Sequence, residues 1–101
     1  YKTKYPEDAA EFERRITRTL PEGWDKVLPV YTPEDKALAS RKHSEICLNA
    51  LAPVLPELFG GSADLTHSNL TELKGQGDFQ KGQYQNRNLR FGVREHGMGA
   101  I

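Results

Sequence analysis

The segment Leu58-Phe59-Gly60-Gly61-Ser62-Ala63-Asp64-Leu65 constrains the fold more than any other stretch of the chain. It is short and apolar, carries two adjacent glycines, and ends in small, hydroxyl and acidic residues. Glycine weakens a helix by about 1 kcal/mol per residue, so the pattern predicts a buried strand whose backbone comes close to another element. A second strand is predicted where Leu89, Phe91 and Val93 alternate with Arg90, Gly92 and Arg94, a period of two. That strand ends at Arg94-Glu95-His96, and Gly97-Met98-Gly99-Ala100-Ile101 reads as a helix start. Residues 66–88, between the two strands, are polar and rich in Gly, Gln, Asn and Lys. They predict a long loop, of the kind that is functional or mobile.

Two helices are expected upstream. Pro6 suits a first helical turn, where its missing N–H is not needed. Glu7 and Asp8 follow at the positive end of the dipole, and Arg14, Arg15 and Arg18 sit at the negative end. Ala9, Phe12, Ile16 and Leu20 share one face, which predicts a helix docked on a neighbouring surface. Pro21 and Gly23 end it. Residues 21–39 read as a connection held down by Trp24, Val27, Leu28, Val30 and Tyr31, with a short helical turn possible at Thr32-Pro33-Glu34-Asp35. The second helix is expected to start with Ser40 as its N-cap and to run to Ala52 or Leu55. Pro53 should kink or end it. Helix, strand, loop, strand, helix gives an α/β layer structure.

Composition narrows the function classes. Fourteen basic and fourteen acidic residues cancel, so charge gives no reason to expect nucleic acid or an anionic membrane as partner. No apolar run approaches the roughly 20 residues that span a bilayer. Cys47 is the only cysteine, which excludes an internal disulfide and any cysteine-based metal spacing. The chain opens on Tyr1 and stops inside an apolar run at Ile101, so both ends are expected to be cut.

Three places carry candidate chemistry. Arg41, Lys42 and His43 occupy the first turn of the second helix, where cations oppose the dipole. Either they are solvated charges, or an anion such as phosphate compensates them. The run Gly60 to Asn69 ends a strand in Ser62, Asp64, Thr66, Ser68 and Asn69. Ligands of α/β folds bind just beyond the carboxyl ends of strands, but a glycine-assisted turn explains the same residues. Glu95, at a strand-to-helix junction, is either an ordinary dipole partner or a carboxyl partly buried against a ligand nitrogen. His96 is an orienting group or a packed histidine.

Gly60-Gly61-Ser62-Ala63-Asp64-Leu65-Thr66, followed by Phe91-Gly92-Val93-Arg94-Glu95-His96-Gly97-Met98-Gly99-Ala100-Ile101, closely resembles the transketolase family. Ser40-Arg41-Lys42, Tyr5-Pro6 and Leu20-Pro21-Glu22-Gly23-Trp24 agree in order and spacing. The resemblance covers essentially the whole chain. It implies an enzyme that uses thiamin diphosphate and a divalent metal, Mg2+ or Ca2+, to move a two-carbon ketol unit from a ketose phosphate to an aldose phosphate. The fold it implies is part of a three-layer α/β/α thiamin diphosphate-binding fold. Residues 1–30 would close the diphosphate-binding domain and connect onward, and residues 31–101 would open the pyrimidine-binding domain.

The resemblance also implies roles. Glu95 matches the family's catalytic glutamate, a proton donor that hydrogen-bonds the ring nitrogen of the cofactor's aminopyrimidine and favours its imino tautomer. Arg41 and Ser68 match the residues that hold the sugar phosphate. Asp64 matches an acidic residue near the cofactor and the subunit interface. His67 stands where a small residue or proline is usual, and Gly97 where alanine is frequent. The diphosphate- and metal-binding Gly-Asp-Gly…Asn segment is not in this sequence, so the metal site is expected outside it. The family's active site lies between two subunits, which implies a homodimeric parent. Cytoplasm is the expected compartment, with plastid stroma as the alternative. Dihydroxyacetone synthase is the nearest alternative activity, and a non-catalytic interface module is the alternative from a different class. Deoxyxylulose-phosphate synthases and pyruvate dehydrogenases fit the Arg94-Glu95-His96 context less well.

Overall fold

The computed structural model describes all 101 residues. In chain order the elements are α1 (Pro6–Ile16), a 3-10 turn (Trp24–Val27), α2 (Ser40–Leu51), β1 (Gly60–Ser62), α3 (Thr66–Asn69), β2 (Asn88–Arg90) and α4 (Glu95–Ala100). The two strands pair in parallel, Gly60 with Asn88, Gly61 with Leu89 and Ser62 with Arg90. A parallel pair needs a crossover connection, and α3 with the following loop supplies it. Helices flanking a parallel pair make the chain a partial α/β fold, as its sequence predicts.

The ends of these elements have local causes. Pro6 opens α1, with Glu7 and Asp8 in the first turn and Arg14 and Arg15 in the last. Ser40 is not the N-cap of α2. Ala39 takes that place in extended conformation without a side-chain cap, and Ser40 is the first helical residue. Pro53 follows Ala52, the C-cap of α2, and has no N–H with which to continue the ladder. Residues 32–35 form a turn rather than a helix, closed by the Thr32 N–H donating to Asp35 Oδ2 at 2.6 Å.

Both strands are shorter than the eight and six residues expected. Asp64 adopts a left-handed backbone, φ +55°, two residues past β1, and Gly92 does the same, φ +67°, two residues past β2. Either reversal stops an extended chain. Phe91 and Val93 therefore lie outside the sheet, and α4 starts at Glu95 rather than Gly97.

Residues 66–88 are fastened rather than loose. They open with α3, and then two asparagines hold them. Asn88 Oδ1 accepts from the Leu73 N–H at 2.8 Å, while its Nδ2 donates to the Leu73 and Gly77 carbonyls at 2.9 and 3.0 Å. From α2, Asn49 accepts from the Lys74 N–H and donates to the Glu72 carbonyl. Arg87 donates to the carbonyls of Ala52 and Leu55, just past the end of α2.

The core is small. Ala9, Ala52, Ala63 and Leu73 are its buried apolar residues, and no large side chain is fully enclosed. The Cα radius of gyration, 16.5 Å, exceeds the roughly 13 Å of a compact domain of this length. The apolar face expected to dock α1 is open: Ala9 is buried, but Phe12 and Ile16 are 64% and 68% exposed. Nothing within these residues covers them. What holds α1 is Arg14, whose guanidinium grips both carboxylate oxygens of Glu11 and both of Glu57, beyond α2. In the connection, Trp24 and Leu28 are half-buried, whereas Val27, Val30 and Tyr31 are exposed.

Candidate functional site

The parallel pair places its two carboxyl ends side by side, and a cleft of about 220 Å³ opens there. It is lined by Ser62, Asp64, Thr66, His67, Arg90 and Gly92. The strands can lie close enough to build it because residue 61 is glycine. A Cβ at Gly61 would sit 1.9 Å from the Leu89 carbonyl oxygen, so the expected close backbone approach is found.

The hydroxyls at this end of the sheet are largely engaged with each other. Ser62 Oγ lies 2.6 Å from Thr71 Oγ1, with Asn69 Nδ2 at 3.5 Å, and Thr66 is buried. They shape the cleft rather than offering free groups to it. Asp64 is exposed and has neither hydrogen-bond nor ion-pair partners. Arg90, which sequence reasoning read only as part of the strand's alternation, reaches the cleft wall. Its Nε donates to Asp78 Oδ1 at 3.0 Å and its Nη2 to Glu72 Oε1 at 3.3 Å. Its place at the carboxyl end of a strand was the available signal, but the partners come from the loop and have no spacing rule.

Glu95 opens α4 and faces solvent. The partial burial expected for its carboxyl is not supplied by this chain, since no other element packs over α4. Glu95, His96, Gly99 and Ala100 line an open concavity of about 440 Å³. A Cβ built on Gly97 or Gly99 meets nothing within 4 Å. An unpartnered carboxyl beside a bare glycine face suits the edge of a flat heteroaromatic ring, and so fits the pyrimidine half of a thiamin cofactor. His96 is exposed and not packed. No three His, Cys, Asp or Glu side chains are placed to hold a metal ion.

At the start of α2 the three cations prove unlike. Lys42 pairs with Glu45, which Lys74 also meets at 3.1 Å. Hydrogen bonds from Lys42 and then Lys74 hold the Glu45 carboxyl below its ordinary range. His43 packs edge-on against Tyr31, ring centroids 4.6 Å apart. Arg41 alone of the three is exposed without a partner. Ser68, on α3, is likewise exposed, but lines neither the cleft nor the concavity. Asp64 is thus brought into the cleft, while Arg41, Ser68 and Glu95 are exposed and lie outside it.

Comparison with known proteins places these features in a family. Residues 36–101 match the family described as transketolase, pyrimidine binding domain. The whole chain is 77% identical to a transketolase of Nostoc sp., covering 15% of that protein, and 61% identical to the chloroplastic transketolase-1 of Arabidopsis thaliana, covering 14%. Among solved structures, 99% of the chain superposes on 16% of a Pichia stipitis transketolase in complex with sedoheptulose-7-phosphate, with a TM-score of 0.92 and 59% identity. A transketolase from Leishmania mexicana matches 99% of the chain with a TM-score of 0.87 and 44% identity, over 15% of its own length. The chain therefore spans about 15% of the relatives it matches, and by sequence and fold it belongs to the transketolase family.

Proposed function

We propose that this chain is a segment of a transketolase that transfers a two-carbon ketol unit from a ketose phosphate to an aldose phosphate. The observation that carries the reading is the 77% identity to a transketolase along the full length of the chain. A Pichia stipitis relative that binds sedoheptulose-7-phosphate has the same fold over this stretch. Dihydroxyacetone synthase and a non-catalytic module have no comparable support.

Thiamin diphosphate would supply the nucleophilic carbon and the electron sink for the transfer. Glu95 holds a proton at the pyrimidine ring nitrogen, using a carboxyl that this chain leaves exposed and unpaired. Asp64 supports the cofactor from the cleft at the strand ends. Arg41 and Ser68 bind the sugar phosphate. Arg41 is suited to this because Lys42 and His43 beside it are already engaged, so the helix start offers one free guanidinium for charge-assisted hydrogen bonds.

Residues 1–30 close the diphosphate-binding domain and connect onward, and residues 31–101 open the pyrimidine-binding domain. This division is supported by the family match beginning at residue 36 and by the thin attachment of α1. The Mg2+ or Ca2+ ion is held by residues outside the segment. We read the parent as a homodimer in which a second subunit closes the pocket, as the family resemblance implies. No helix is long and apolar enough to cross a membrane, and we place the enzyme in the cytoplasm, with plastid stroma as the alternative.

Glu95→Ala in a full-length transketolase carrying this segment tests the assignment. Loss of a positioned proton donor should lower kcat about 10²- to 10⁴-fold. Unchanged activity without excess cofactor would remove Glu95 from the chemistry.

A further inference from the structure

We propose that His67 is a specificity-determining residue that contacts the phosphate end of the sugar substrate. The proposal rests on the reading that Arg41 and Ser68 hold that phosphate. Six residues line the cleft at the carboxyl ends of β1 and β2, and four of them offer little to a ligand. Ser62 is bonded to Thr71, and Thr66 is buried. Gly92 has no side chain, and Arg90 is committed to Asp78 and Glu72. Asp64 and His67 remain as exposed side chains without partners.

An anion arriving at this mouth therefore meets the uncompensated carboxylate of Asp64, the Arg90 N–H groups not used on Asp78 and Glu72, and His67, the one donor side chain there with no partner at all. Imidazole has an N–H to give in its neutral form and two when charged. His67 immediately precedes Ser68 on α3, so among the cleft residues it is the one nearest in the chain to a phosphate held by Ser68, which itself lies outside the cleft. His67 adds a donor of its own. The side chain makes no contact within the chain that would give it a structural role, which makes substitution informative.

Steady-state kinetics of the full-length enzyme decide the matter. A ketose phosphate is compared with its unphosphorylated counterpart, and inorganic phosphate serves as competitive inhibitor. In His67→Ala, KM for the ketose phosphate should rise about two- to tenfold, the loss of one ordinary hydrogen bond, with the change on KM rather than kcat. The inhibition constant of phosphate should rise by the same factor. His67→Gln, which keeps a donor, should restore most of the loss. Equal loss on both sugars, or no change in their ratio, overturns the role of His67. Arg41→Ala separates the two levels of the reading. If it shifts the ratio and His67→Ala does not, only the inference about His67 fails. If neither shifts it, the phosphate site itself is misplaced.

Discussion

Asn88 is where a single side chain decides whether the long crossover stays closed. It is 4% exposed and makes three hydrogen bonds to the backbone of the loop it anchors. Replacing it with alanine strands the Leu73 N–H in a buried setting, at a cost of about 1–3 kcal/mol, and removes the donors to two carbonyls at about 0.5–1.5 kcal/mol each. The sum is about 2–6 kcal/mol. At 1.4 kcal/mol per tenfold, the closed loop should lose at least about 25-fold of its protection against opening. Amide hydrogen exchange over residues 70–80 of a full-length enzyme reads this directly, because local opening governs exchange there. Asn88→Asp sharpens the test. It preserves size and the acceptor for Leu73, but turns the Nδ2 that makes both donor contacts into a carboxylate oxygen facing two carbonyls. At neutral pH it should be at least as damaging as alanine. Protection in Asn88→Asp equal to wild type, or a loss under threefold in Asn88→Ala, would refute the reasoning.

Two further outcomes follow from the same geometry. Gly61→Ala should force β1 and β2 apart, costing about 1–3 kcal/mol or more, because backbone atoms of Leu89 block the new methyl. Gly60→Ala, whose methyl meets nothing within 4 Å, should stay within about 0.5 kcal/mol, and thermal unfolding of the two variants checks the contrast. Acid should loosen α1. Hydrogen bonds from Arg14 and then Arg15 push the Glu11 carboxyl down to about 2, and Arg14 lowers Glu57. A depressed carboxylate stabilises the fold fully above its ordinary pKa, and that contribution disappears as pH falls toward the folded value. For Glu11 the loss therefore spans about pH 4.5 to about 2. Exchange over residues 6–19 at pH 5 and pH 3 should show it, and Arg14→Gln should reduce the difference to the part that Arg15 maintains.

Much of this was legible in the sequence, where the information is local. Pro6 and the charge gradient mark α1, Pro53 ends α2, and the glycine pair at 60–61 predicts a close backbone approach. Motifs spaced along the whole chain carried the family. What was not legible depends on partners distant in sequence or on single dihedral angles. Nothing in the apolar spacing of Leu89, Phe91 and Val93 reveals that Gly92 turns left-handed and removes two of the three from the sheet. Residues 66–88 read as free loop because asparagine at 49 and 88 looks like any polar residue until its backbone partners are known. The face of α1 was read correctly as apolar, but its cover does not lie within these residues, since periodicity reports what a helix can bury and not where the covering surface is.

The same open surfaces bear on how the site works. Burial is what makes a carboxylate's proton worth tuning, and hydrogen bonds to phosphate gain strength where water is excluded. Glu95, Arg41 and Ser68 are all exposed in this chain, while the groups at the strand ends and the start of α2 are already fixed. Gly61 sets the strand approach, the Ser62–Thr71 pair shapes the cleft, and Lys42–Glu45 leaves Arg41 as the free cation. Positioning is thus encoded within these residues, whereas desolvation has to come from whatever closes over α4 and the start of α2. Substitutions in the supporting network should therefore disturb local order before they disturb the chemistry. Substitutions at Glu95, Arg41 or His67 should alter turnover or substrate preference and leave local order intact. Exchange protection and kinetics measured on the same variants should separate these two sets of residues.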